Sequence, residues 1–250
     1  MSAFSWPDGR LIAFDTETTG TNWDTDRLVA ATVAAVGDGA DPQVTTWLIN
    51  PDTDIPAEAT AVHGITTDRA RAEGRPAAEA IGEITGLLAS LMGDGAPLVV
   101  FNARFDLTLL DRECRRHDLV PLPQRLPGGE LAPVIDPLVI DKQVQPYRRG
   151  SRWLPDVCAH WKVRHDRAHD ATADAVAAAR LAWRFGHLYP HLGGMDPRTL
   201  HALQVTRAAE QAASLQAYLR RSNPNAYVEP AWPYVPQTTS TTNSSDGAAQ

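Results

Sequence analysis

The sequence predicts an α/β fold, a mixed central sheet flanked by helices, with a helical appendage towards the C-terminal end. Three observations carry this expectation. Apolar runs at 11–15, 28–36 and 44–49, joined by short connections, read as an antiparallel meander. Later apolar runs at 99–100 and 134–136 alternate with stretches of helical periodicity, which is the pattern of a layered sheet with crossover helices. Beyond residue 190 a further stretch of helical spacing follows, outside that alternation.

Taken in order, the meander's second and third runs are separated by the turn-rich Gly37-Asp38-Gly39-Ala40-Asp41-Pro42. Residues 51–56 read as a loop and 57–62 as a short helix ended by Gly64. Pro76 opens a helix with Ile81, Ile84, Leu87, Leu88 and Leu91 at helical spacing, closed by Gly93-Asp94-Gly95. The strand with Val99 and Val100 leads through a polar turn into a helix bearing Leu107, Leu109 and Leu110. Residues 121–133, rich in Pro and Gly, read as a loop before a short strand at 134–136. Trp153, Leu154, Val157, Cys158 and Trp161 fit one face of an amphipathic helix, and 171–188 a long Ala-rich helix. Gly193-Gly194 reads as a hinge. Asp196-Pro197 has the form of an N-cap with proline at the first helical position, launching a helix through Leu200, Leu203, Ala208, Ala212, Leu215 and Leu219. That apolar stripe is expected to pack on the core. The expected organisation is a domain over 1–190, a helix and Pro-rich extension over 191–236, and a disordered tail over 237–250 dominated by Thr, Ser, Asn and Gly.

A chain of 250 residues with 43% hydrophobic and 21% charged residues has ordinary globular composition and can bury a substantial core. No run approaches the roughly 18 apolar residues of a membrane span, and the first residues lack a signal peptide's basic and apolar regions, so a cytoplasmic protein is expected. Two cysteines, Cys114 and Cys158, form neither a disulfide framework nor a zinc site, and buried thiols are expected. A net charge of −7 argues at first against a polyanionic ligand. Screening beyond about 10 Å makes local patches more telling than the total. Two such patches, 147–152 with Arg148, Arg149 and Arg152, and the cluster Lys162, Arg164, His165 and Arg167, fit either phosphate contacts or solvated loops.

The chemistry concentrates at element ends. In Phe14-Asp15-Thr16-Glu17-Thr18-Thr19-Gly20, Asp15 and Glu17 lie one residue apart at a strand terminus, so both carboxylates face the same way. Like charges so close repel unless a cation lies between them, and a divalent metal suits that place. Asn102-Ala103-Arg104-Phe105-Asp106 sets a third carboxylate at a helix start. His169 and Asp174 are five residues apart, about 140° around a helix, so they share a site only if His169 lies in the loop before it, with Asp170 as N-cap. Taken singly, each segment has an ordinary structural reading: a surface strand, a capping aspartate, a loop histidine.

Together, D-x-E, then Val62-His63-Gly64-Ile65, then N-x-x-F-D, then H-x-x-x-x-D resemble the signature of the DnaQ-like (DEDDh) 3′-to-5′ exonuclease family of the ribonuclease H-like superfamily, over about 11–188. The resemblance implies the ribonuclease H-like fold and a metal-dependent enzyme that releases nucleoside monophosphates from DNA 3′ ends, in proofreading or repair. It implies two Mg²⁺ ions, replaceable by Mn²⁺, on Asp15, Glu17, Asp106 and Asp174, with His169 as general base. Thr18, His63, Ile65, Asn102 and Phe105 would hold the terminal nucleotide, although Ile65 and Phe105 fit a core equally well. Asp136, at the end of another strand, is read as structural. The implied partners are a single-stranded or frayed DNA 3′ end and a DNA polymerase, with no membrane. RNA end trimming, and a polymerase accessory subunit that binds its partner through the C-terminal helix, are the alternative functions.

Overall fold

A computed structural model describes residues 5–165 and 171–237. β1 (Arg10–Thr18), β2 (Leu28–Gly37) and β3 (Gln43–Asn50) form the antiparallel meander. Next come α1 (Ala57–His63), α2 (Thr67–Glu73) and the two-residue β4 (Arg75–Pro76), which pairs parallel to β3. The sheet is completed through α3 (Ala77–Gly93), β5 (Leu98–Val99), α4 (Ala103–Arg116), the single turn α5 (Leu122–Arg125), β6 (Val134–Ile135) and α6 (Pro137–Val144). α7 (Leu154–Trp161), α8 (Ala171–Leu188), the turn α9 (Pro190–Gly193) and α10 (Pro197–Leu219) follow. The sheet order is β4-β3-β2-β1-β5-β6, and β1, β5 and β6 run parallel, so their C-terminal ends share one edge. No helix among the described residues is long and apolar enough to cross a membrane.

Strand alternation sorts β1 between two layers. Ile12 and Phe14 pack with Ile81, Ile84 and Leu88 of α3 and Leu107 and Leu110 of α4, each large side chain contributing about 1.5–3 kcal/mol by burial. Leu11 faces Leu181 and Phe185 of α8, and Ala13 meets Ala175 and Ala179. The small side chains let α8 lie close against the strands that carry the acidic pair. Cys114 and Cys158 are buried free thiols, both pushed up to about 12 chiefly by burial.

Three features differ from the sequence-based expectations. Gly193 is no hinge: a Cβ there would lie 2.2 Å from the Gly186 carbonyl oxygen, so glycine permits α9 to touch α8. The α10 stripe is covered only in its first half. Leu200, Ala208 and Ala212 are buried, whereas Leu215 is 48% and Leu219 36% exposed. Among these apolar contacts two polar side chains, His201 and Gln204, face β6, which presents an open edge whose groups need partners. The Val134 N–H donates to His201 Nδ1 (3.1 Å), the Asp136 N–H to Gln204 Oε1 (2.8 Å), and Gln204 Nε2 to the Val134 carbonyl (3.0 Å).

The Pro-rich segment after α10 is also packed. Trp232 is 7% exposed within the main core, its Nε1 donating to Asp136 Oδ2, while Arg104 donates to the Ala231 carbonyl (2.7 Å). Trp232→Ala should lose about 3–5 kcal/mol, and truncation after Ser222 should lower the melting temperature at least as much. Thermal unfolding of both variants, compared with the full chain, checks this; unchanged melting would show that the segment does not brace α4.

Candidate active site

The strand alternation that sends Leu11 and Ala13 towards α8 sends Asp15 and Glu17 the same way. Beyond them the register with β2 shifts between Glu17 and Thr18, a bulge that ends regular pairing beside the acidic pair. α8 brings Asp174 to meet them, and one carboxylate oxygen from each of Asp15, Glu17 and Asp174 lies within 4.8 Å of the others.

Asp106 arrives from the opposite layer. It lies in the first turn of α4, buried, and its Oδ1 accepts a hydrogen bond from Thr16 Oγ1 at 2.6 Å, Thr16 being the residue between the acidic pair. Burial raises the Asp15 carboxyl well above its ordinary 3.8, with repulsion from Asp106, Asp174 and Glu17 adding to it. Asp106 is pushed up to about 7 by burial, against the lowering pull of the Thr16 hydroxyl. A cluster this reluctant to ionise is one that cations stabilise, and its all-oxygen donor set suits a hard ion such as Mg²⁺ or Mn²⁺.

The helix entry at Asp106 is built by Asp136. Its carboxylate accepts the N–H groups of Asn102 and Ala103, both at 3.0 Å, and that of Leu138 at 2.8 Å as N-cap of α6. These bonds hold Asn102 in the left-handed region (φ 63°) and fix the start of α4. Asp136 is therefore occupied structurally, as the sequence suggested.

The loop beyond β1 is set by His63 and Asp26. The Ile65 N–H donates to His63 Nδ1 (3.1 Å), so Nε2 carries the proton and donates to the Thr18 carbonyl at 3.3 Å. Thr19 Oγ1 donates to Asp26 Oδ1, and a Cβ on Gly20 would meet Asp26 Oδ2 at 2.6 Å. Ile65 is 7% exposed and packs with Val29, Ile55 and Ala70, whereas Phe105 is half-buried against the main core.

The structure thus brings Asp15, Glu17 and Asp174 together, with Asp106 adjoining. His169 lies outside the described residues, as does Asp170. A histidine that the sequence offered only as part of a basic cluster also reaches the site: His165 Nε2 is 2.5 Å from Asp174 Oδ1. In the other basic patch Arg149 is exposed, whereas two arginines are tied inward. Arg148 and Arg152 both pair with the buried Asp141, which also accepts from Trp161 Nε1.

Residues 12–182 match the family described as Exonuclease (RNase_T). A DNA polymerase III subunit epsilon-like protein of Rhodobacter capsulatus is 40% identical over 106 residues, covering 41% of this chain and 14% of that protein. A PolC-type DNA polymerase III of Streptococcus agalactiae is 27% identical over 179 residues, covering 71% of this chain and 11% of that protein. Among solved structures, E. coli exonuclease I in complex with a dT13 oligonucleotide superposes with a TM-score of 0.59 at 22% identity, over 74% of this chain and 43% of that one. This last likeness is one of fold, the ribonuclease H-like arrangement of a mixed sheet between helices. The chain spans less than half the length of each of these proteins.

Proposed function

The chain belongs to the exonuclease family, and from that premise we propose that it is a metal-dependent 3′-to-5′ exonuclease releasing nucleoside monophosphates from DNA 3′ ends, in proofreading or repair. The observation that carries this reading is the convergence of Asp15, Glu17 and Asp174 within 4.8 Å, with Asp106 beside them. In it these four carboxylates hold two Mg²⁺ ions, for which Mn²⁺ substitutes. Such a pair, when bound, activates water, neutralises phosphate charge and stabilises the leaving oxygen.

The remaining work falls to the chain itself. His169, whose ordinary pKa of about 6.5 suits the task, accepts the proton of the attacking water. The Thr18 carbonyl, fixed by His63, together with Ile65, Asn102 and Phe105, holds the terminal nucleotide. In our reading residues 1–190 perform this chemistry in the cytoplasm, and 191–236 brace it. DNA is favoured over RNA, and a polymerase as partner, because the relatives bear DNA polymerase names and the solved neighbour binds a deoxythymidine oligonucleotide.

The reading predicts that excess chelator stops hydrolysis and that Mg²⁺ or Mn²⁺ restores it. Ca²⁺, larger and looser in geometry, should support substrate binding with little turnover. Labelled single-stranded DNA, a duplex with a mismatched 3′ end and RNA of matching sequence, each incubated with these ions, give the test. Full activity in chelator would remove the metal from the account, and faster cleavage of the RNA would replace DNA as substrate.

A further inference from the structure

A groove of about 860 Å³ opens between α6, α10 and the segment that carries Val228 and Trp232. It begins at Asn102 and Asp136, on the sheet edge shared by the C-terminal ends of β1, β5 and β6. With neighbouring strands about 4.8 Å apart, this is roughly 10 Å from the strand of Asp15. Half of its lining lies beyond residue 182, outside the stretch that matches the family.

The walls combine three kinds of group. Lys142 has no ion-pair or hydrogen-bond partner among the described residues, and Arg207, paired with Glu210 through Nη1 (2.7 Å), keeps a buried Nε unbonded. Gln143 Oε1 is a buried acceptor with no donor among the described residues. Tyr147 is 94% and Tyr218 63% exposed at the groove's rim, the Tyr218 ring with the Arg221 guanidinium 5.7 Å from its centroid, a second cation beside that stacking face. The acidic groups here are already engaged: Glu210 by Arg207, and Asp136 by the Asn102, Ala103, Leu138 and Trp232 donors. The unpaired Lys142 ammonium and the spare Nε donor of the ion-paired Arg207, beside exposed aromatic faces, are what single-stranded nucleic acid recognises, phosphates on the former and bases on the latter.

We propose that this groove binds the single-stranded polynucleotide upstream of the 3′ nucleotide, with Lys142 and Arg207 on phosphates and Tyr147 and Tyr218 as stacking faces. It rests on the exonuclease reading above. The test uses the full chain with Ca²⁺ in place of Mg²⁺, and fluorescence anisotropy of labelled dithymidylate and dodecathymidylate. Only the longer probe extends from the carboxylates into the groove. Tyr218→Ala, at an exposed position, should shrink the affinity gained with length about tenfold, as expected for one lost stacking contact. Lys142→Gln should reduce the slope of log affinity against log salt by about 0.7, one phosphate contact on a single strand. Length gain and salt slope equal to wild type in both variants would overturn the proposal, and would leave the groove to a protein segment. Absence of hydrolysis by the wild type with Mg²⁺ would count against the exonuclease reading, while the binding comparison would still decide the groove.

Discussion

Asp15→Asn should abolish hydrolysis and at the same time raise the melting temperature of the metal-free protein at neutral pH. Residues that merely orient a metal's ligands cost about 10–100-fold when removed, so loss of a ligand shared by the cluster should exceed 100-fold. The gain in stability follows from repulsion, since Asp15 faces Asp106, Asp174 and Glu17. Both Asp15 and Asp106 bind protons more tightly folded than unfolded. Their stabilising contribution is complete below the ordinary carboxyl value and is lost as pH rises through the folded one. Metal-free wild type should therefore melt at progressively lower temperature between pH 3.8 and about 7, the span over which Asp106 ionises late. Asp15→Asn should flatten that decline, and Mg²⁺ should restore wild-type stability at its neutral end. Thermal melts across this range, with and without Mg²⁺, measure both effects. Unaltered turnover by Asp15→Asn would contradict the metal-site assignment, and an equal decline in variant and wild type would contradict the repulsion at Asp15.

His169→Ala should lower the maximal rate by about 10² to 10⁴, the range for a positioned general base, with much less effect on nucleic-acid binding. The acidic limb of the rate profile should disappear with it. His165 supplies the contrast, because its ring reaches Asp174 in the described structure. Assigning proton transfer to His169 gives His165→Ala the smaller loss in rate and a retained acidic limb. A His165 variant that loses the limb, beside a His169 variant that keeps it, would exchange their roles.

The acidic pair was legible because strand alternation is local: residues 15 and 17 share a face wherever the strand lies. The meander, and the long helices α3, α8 and α10, were legible for the same reason, their apolar periods being written within single segments. α6 was missed although Asp136-Pro137 carries the same N-cap and proline signal that marked Asp196-Pro197, because too short an apolar stretch followed it. Other features depend on what lies opposite. His201 and Gln204 read as polar interruptions of an amphipathic face until the open edge of β6 is seen against them, and Leu215 and Leu219 read as core until that edge ends. The same holds for Trp232, in a Pro-rich stretch with no period, and for His165, whose contact with Asp174 spans nine residues around a helix start.

The central claim is that this chain removes nucleotides one at a time from a 3′ end with divalent metal at the Asp15, Glu17, Asp106 and Asp174 cluster. The most direct measurement is a time course of purified protein with Mg²⁺ on single-stranded DNA labelled at its 5′ end, resolved to single nucleotides. The account predicts a ladder shortening stepwise from the 3′ end, with label reaching the mononucleotide last, and no ladder for Asp174→Ala. Immediate release of labelled mononucleotide, or internal fragments without intermediate steps, would contradict it.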